Sequence, residues 1–113
     1  MARVSIARQQ VSDAGLVPAY SPAVEEGHSV ENSKGKVILH VCNTNETEAT
    51  VTICSGYTMG GLKLQDRQVV IPPATCVFIG PLDQQVYNQP GTSQVWIDYS
   101  ATDGVDVAAL LIP

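Results

Sequence analysis

The sequence predicts an all-β protein: an antiparallel β-sandwich, jelly-roll-like or closed as a small barrel, with an extended N-terminal arm. Val, Ile and Thr, which favour pleated and half-buried surfaces, number 24 from Lys36 onward but only 6 in the first 35 residues. Apolar and polar residues alternate in short runs separated by Gly, Pro or Asn, as in sandwiches and barrels. We therefore divide the chain into an arm, residues 1–35, and a sandwich, residues 36–113.

The predicted strands follow one another through the second part. Alternation places strands at residues 37–42 and 49–54. The turn residues Asn43–Glu46 stand between them, so these two strands are expected to pair as a hairpin. Residues 82–88 predict a single helical turn before Pro90. The other expected strands lie around residues 62–64, 69–71, 77–79, 95–99 and 105–111.

The first 35 residues predict an arm that does not fold on itself. Gly and Pro recur through this segment, and its apolar residues follow neither a helical nor a strand period for long. One short extended segment is allowed by Val4, Ile6 and Arg8. We expect the arm to be ordered by neighbouring subunits, with Val4, Ile6, Arg8, Leu16 and Tyr20 as candidate contacts.

The charge of the chain argues against two classes of partner. Six Lys and Arg stand against 11 Asp and Glu, which gives a net charge of −5. An acidic surface repels nucleic acid and anionic membranes, and no basic run offsets it. No stretch approaches the roughly 20 apolar residues of a membrane span, and the first residues lack the pattern of a secretory signal. We expect synthesis in a cytoplasm.

The cysteines predict free thiols. Cys42, Cys54 and Cys76 form an odd, widely spaced set without a C-x-x-C pair, which is not a disulfide framework. His40 and Cys42 point to the same face of one strand, so a zinc site that includes the other cysteines is conceivable. Cysteines on strands more often pack as small core residues. No metal and no cofactor is therefore assigned.

No set of residues predicts catalysis. His28 follows two glutamates and could act as a base, but no nucleophile elbow accompanies it, so we expect a solvated loop histidine. Asp98, Asp103 and Asp106 could form a carboxylate pair. Polar strand faces and turn chemistry explain these aspartates equally well. The chain is not expected to be an enzyme.

Aromatic residues supply the remaining candidates. Trp96 alternates with Val95 and Ile97, which places it on the outer face of its strand. An outward Trp indicates a contact with another subunit, or a platform for a sugar ring. Tyr57 and Tyr87 lie in loops and are further candidates for protein contact.

Several pieces of the chain, in order, resemble a set of small virion proteins of tailed bacteriophages. The resemblance begins with Gly35–Asn43, continues with Ala49–Ile53 and Gly61–Arg67, and covers about residues 30–113. The later pieces are residues 70–73, 79–81, 86–89 and 105–110.

Such proteins are capsid decoration, cement or minor head proteins built as β-sandwiches. The resemblance implies a homotrimer on the outer surface of the phage head, made in the host cytoplasm, that binds the major capsid protein at junctions between capsomers. It leaves open a component of the tail, neck or fibre base, and a carbohydrate-binding module for receptor recognition stays an alternative. The candidate interface residues are Val4, Ile6, Arg8, Leu16, Tyr20, Tyr57, Tyr87 and Trp96.

Overall fold

A computed structural model describes residues 3–112, which contain twelve strands and one helical turn. Within this range no helix combines the length and apolar character needed to cross a membrane. The elements are β1 (Val4–Ile6), β2 (Arg8–Gln10), β3 (Ser21–Pro22), β4 (His28–Glu31), β5 (Val37–Asn43), β6 (Ala49–Ile53), β7 (Thr58–Met59), β8 (Leu62–Lys63), β9 (Arg67–Ile71), β10 (Thr75–Ile79), α1 (Gln84–Tyr87), β11 (Gln94–Tyr99) and β12 (Val105–Leu111).

The strands form two five-stranded sheets and a separate hairpin. Sheet I has the order β1-β4-β11-β6-β9, and sheet II has the order β10-β5-β12-β2, with β3 also paired to β12. The strands β7 and β8 pair only with each other. Most pairs are antiparallel, but β1 lies parallel to β4 and β2 lies parallel to β12. The all-β prediction is confirmed, with mixed sheets in place of purely antiparallel ones.

The two sheets share one hydrophobic core. The strand β5 alternates strictly between buried and half-buried residues, as a strand with one face inward does. Its residue Leu39 is fully buried, as are Ile53 and Ile97 of sheet I and Val107 of sheet II. One cluster of buried side chains joins both sets, so the sheets face each other as in a sandwich.

The prediction that β5 and β6 pair as a hairpin is wrong. The strand β5 pairs with β10 and β12 in sheet II, whereas β6 pairs with β9 and β11 in sheet I. The chain crosses between the sheets at the buried Asn43, whose side-chain amide donates to the carbonyl oxygens of Thr47 (2.9 Å) and Ile71 (3.2 Å). Inward-facing apolar residues suit either sheet, so alternation alone did not decide which strands pair.

The predicted arm is incorporated into both sheets. Val4 and Ile6 pair with His28 and Val30, and β2 extends the edge of β12. Ile6 is only 8% exposed and belongs to the core. The prediction that this segment needs outside partners is therefore wrong for residues 4–10 and 21–31, because open strand edges of its own chain supply its backbone hydrogen bonds. Residues 1, 2 and 113 of the predicted arm and sandwich lie outside the described residues.

Candidate functional site

One end of the sandwich, which we call the acidic end, concentrates negative charge. It comprises the loops 23–27, 44–48 and 100–104. The backbone N–H of Thr44 donates to Gly104 O (2.8 Å), and that of Ala23 donates to Val105 O (2.9 Å), so the three loops meet. These loops hold no Lys or Arg, and their charge equals the net −5 of the chain, so the rest of the sequence sums to zero. The carboxylates are Glu25, Glu26, Glu46, Glu48 and Asp103.

The opposite end, which we call the hairpin end, carries exposed apolar side chains. It comprises residues 54–66 and α1. Met59 is 68% exposed and Leu62 77% exposed, on the two sides of the turn between β7 and β8. With Tyr57, Lys63 and Leu64 they line a shallow depression of about 260 Å³. Large apolar residues this exposed within a few positions of one another are characteristic of an interaction surface.

Hydrogen bonds fix the base of the hairpin. The N–H of Gly56 donates to Val86 O (2.8 Å), and a Cβ at Gly56 would overlap the carbonyl oxygen of Asn88. The Asp66 carboxylate accepts from the N–H of Ser55 (2.8 Å) and pairs with Lys63 Nζ (3.2 Å). The Ser55 hydrogen bond, aided by Lys63, lowers the pKa of Asp66. The hairpin is therefore positioned against the segment that contains α1.

This packing brings two predicted site residues to the same end. Tyr57 precedes β7, and its carbonyl accepts from the N–H of Leu64 (2.8 Å). Tyr87 ends α1 and packs partly against the core. A cleft of about 540 Å³ separates the residues after β8 from α1, and its lining includes Leu64, Asp66, Val86 and Tyr87.

Trp96 lies on the outer face of sheet I, as predicted, and is 38% exposed. The Arg3 guanidinium carbon sits 4.8 Å from the centre of the Trp96 ring, and Arg3 Nη1 donates to Asp98 Oδ1 (2.6 Å). This hydrogen bond holds the pKa of Asp98 below its usual range. One face of the indole is thus covered by an arginine, which makes Trp96 a poorer platform for a sugar ring.

The thiol of Cys54 lies beside the same aspartate. Cys54 is buried and free, as predicted, and its Sγ lies 3.4 Å from Asp98 Oδ2. Burial, followed by the neighbouring carboxylate, raises the pKa of Cys54 to about 11. The thiol is therefore protonated at neutral pH and is not in the thiolate form in which a cysteine is nucleophilic.

The remaining predicted site residues do not form one surface. Val4 is partly exposed in the edge strand of sheet I, and Ile6 is in the core. Arg8 is half-buried in β2, and Leu16 lies in the exposed loop that follows. Tyr20 lies over sheet II, where its hydroxyl is 2.6 Å from His40 Nδ1.

The residues that sequence reasoning missed are Met59, Leu62 and Leu64. Gly60 and Gly61 separate short apolar runs, and both adopt positive φ angles, which suit the tight turn of a hairpin. In the sequence, this glycine pair indicates the turn of a two-stranded hairpin. The side chains on either side of that turn are not covered by a sheet.

Two expectations about cysteine and histidine are corrected. Cys42 and Cys76 form a disulfide between β5 and β10, at positions directly opposite in the register, so the prediction of free buried thiols is wrong for both. His28 is 1% exposed and lies in β4, with Nδ1 2.6 Å from the Tyr99 hydroxyl, so it is not a solvated loop histidine. Non-local strand pairing decides both outcomes.

Lowering the pH from about 7.5 to about 5.5 should reduce the free energy of unfolding, because burial lowers the pKa of His28 in the folded protein. The unfolded chain then binds the proton more readily, so stability is complete above the unfolded pKa of about 6.5 and decreases below it. The slope is at most about 1.4 kcal/mol per pH unit. Urea unfolding across this range measures it, and His28→Gln should flatten the profile; an unchanged slope in that variant would exclude His28 as the cause.

The hairpin end is the candidate functional site, since it combines exposed apolar groups with a fixed base. Comparison of the chain with protein-family models, curated protein sequences and solved structures finds no match.

Proposed function

We propose that the chain is a structural virion protein of the decoration or cement type. It binds the outer surface of the phage head and stabilises contacts between subunits of the major capsid protein. The resemblance of residues 30–113 to small phage virion proteins suggests this class. The structural observation that carries the proposal is the contrast between the apolar hairpin end and the acidic end.

The hairpin end has the composition of a protein contact. Fully buried interface centres are depleted of charge and enriched in Met and aromatic residues, and Met59 and Tyr57 supply these groups beside the apolar Leu62. The charged residues among 54–66 are Lys63 and Asp66, which sum to zero, and α1 carries no charged residue. This part of the surface does not share the strong negative charge of the chain and can approach another protein without a large electrostatic cost.

The acidic end suits the side that faces solvent. Five carboxylates in loops that contain no Lys or Arg repel other polyanions, including nucleic acid released from broken particles. We propose that the molecule binds with the hairpin end toward the shell and the acidic end away from it.

Self-association is the second part of the proposal. A single hairpin offers a small contact, and several linked copies gain affinity because each further contact forms at a high effective concentration. We propose a homotrimer whose copies meet through Trp96 on the outer face of sheet I. Many such contacts stabilise the shell by mass action, since they favour its intact state.

Replacing Met59 and Leu62 together by serine is expected to weaken shell binding by about 30- to 700-fold, because each side chain loses transfer free energy of roughly 1–2 kcal/mol, about 2–4 kcal/mol for the pair. Both residues are exposed, so the fold should be retained. Binding is measured by co-sedimentation with heads of the phage whose genome encodes the chain. The matched control replaces Val17 and Val70 by serine in the same way. These residues are 92% and 51% exposed and lie outside the hairpin end.

Wild-type affinity in the hairpin variant, or an equal loss in the control, would refute this assignment of the binding surface. Purified tails in the same assay test the alternative of a tail, neck or fibre-base component, and binding to tails but not heads would replace the head proposal. A glycan array tests the carbohydrate alternative, which requires binding that Trp96→Ala removes while association with heads is intact.

A further inference from the structure

Three metal-ligating side chains meet on the outer face of sheet II. Cys42 on β5 lies opposite Cys76 on β10, and His40 lies two residues from Cys42 on the same face. One ligand atom from each residue lies within 4.8 Å of the others. Cys76 is exposed, and the other two are half-buried, so the group is accessible from solvent.

The His40 ring is held from two directions. It stacks on Phe78 with ring centres 4.3 Å apart, and its Nδ1 lies 2.6 Å from the Tyr20 hydroxyl. Metal-binding imidazoles commonly have one ring nitrogen on the metal and the other hydrogen-bonded to an oxygen, which fixes the ring orientation. Coordination through Nε2 would allow Nδ1–H to donate to Tyr20, so the existing contact is compatible with a metal ligand.

We propose that the dithiol form of the chain binds one zinc ion through Cys42, Cys76 and His40. Thiolate sulfur and imidazole nitrogen are the ligands that zinc prefers. Three protein ligands leave the fourth tetrahedral position for water or for a group from a bound partner. Asp106 lies opposite Cys42 on the other neighbouring strand, β12, and its carboxylate adds negative charge that favours a cation at this position.

The disulfide and the zinc site exclude each other. Reduction by a dithiol or a phosphine breaks the sulfur–sulfur bond, and uptake of two electrons and two protons gives two thiols. Zinc binding then releases both protons as the two thiolates form bonds to the metal. In the reducing cytoplasm in which we expect synthesis, disulfides are rare, so the dithiol form is the form expected to meet zinc. This inference does not depend on shell binding.

The test begins with the wild-type chain in its two redox forms. One sample is reduced with a phosphine, which is then removed without air, and the other keeps its disulfide. Both are titrated with Co²⁺, a spectroscopic substitute for zinc, and then with Zn²⁺. The reduced sample should bind one equivalent of cobalt with thiolate-to-cobalt absorption in the near ultraviolet, and zinc should displace it. The oxidised sample should bind neither ion, and equal binding by both forms would overturn the proposal.

Variants assign the ligands. Cys42→Ser with Cys76→Ser should abolish binding, and His40→Gln should weaken it by at least about tenfold. Tyr20→Phe should weaken zinc affinity by a similar factor, because it removes the oxygen bonded to His40. Cys54→Ser is the matched control and should bind as wild type, since Cys54 follows a strand of sheet I. Retained binding in the double cysteine variant, or its loss in Cys54→Ser, would overturn the assignment.

Protection from alkylation gives a readout that does not require a variant to fold. Iodoacetamide should modify Cys42 and Cys76 in the reduced, zinc-free chain, and one equivalent of zinc should slow both reactions. Mass spectrometry of the peptides identifies each modified cysteine. Equal rates of modification with and without zinc would count against the site.

Discussion

Replacing Ile6 by alanine is expected to lower the free energy of unfolding by about 2–4 kcal/mol, the usual cost of truncating a buried Ile. Ile6 is 8% exposed and packs into the core, in register with Val30 of the neighbouring strand. In an arm ordered only by other subunits, the same substitution would leave the stability of the isolated chain unchanged. The measurement is urea or thermal unfolding of the purified chain.

The matched control for Ile6 is Val17, an apolar residue of the same N-terminal segment. Val17 is 92% exposed, so Val17→Ala should change the free energy of unfolding by no more than about 0.5 kcal/mol. A loss below about 1 kcal/mol in Ile6→Ala would show that β1 does not belong to the folded unit, because truncating a buried Ile costs more than that.

Replacing Asn43 by alanine is expected to cost about 2–4 kcal/mol, because buried hydrogen-bond groups would lose their partners. From the end of β5 in sheet II, the Asn43 amide donates to Thr47 O in the crossing segment and to Ile71 O in β9 of sheet I. Its side-chain oxygen accepts from the N–H of Asn45 (3.0 Å). The residue is 1% exposed, so water cannot readily replace the amide. Equilibrium unfolding in urea measures the change.

Thr44→Val is the control for this position. Thr44 Oγ1 donates to Gly104 O (3.0 Å), but the contact is exposed and water can take its place. The expected change is below about 1 kcal/mol. Equal costs in the Asn43 and Thr44 variants would contradict the view that the buried amide stabilises the crossing.

Local pattern was sufficient to predict most strands. The alternation of apolar and polar residues in β5 and β6 is recognisable from the local sequence alone, because successive side chains of a strand point to opposite faces. The same rule places Trp96 outward between Val95 and Ile97, which are fully buried. The single helical turn at Gln84–Tyr87 lies within the predicted segment.

Pairing between strands could not be predicted in the same way. The partner of β5 is decided by which strand edges are open once the chain has collapsed, and this depends on residues far apart in sequence. The Cys42–Cys76 bond spans 34 residues and follows from the pairing of β5 with β10. The burial of His28 likewise requires β11 beside it.

The candidate site was predicted only in part. Tyr57 and Tyr87 were identified as loop aromatics, and the fold places both at the hairpin end. Met59 and Leu62 were missed because an apolar residue in a short strand is ordinarily assigned to the core. Their exposure results from the separate pairing of β7 with β8, which have no sheet beneath them.

The central claim is that a folded unit binds the shell through its hairpin end. Measuring the orientation of the bound chain tests this claim most directly. Hydrogen exchange with mass spectrometry compares the free chain with the chain bound to phage heads. We predict slower exchange on binding at residues 57–64 and unchanged exchange in the acidic loops 23–27 and 44–48. Protection confined to the acidic loops, or no binding to heads at all, would contradict the claim.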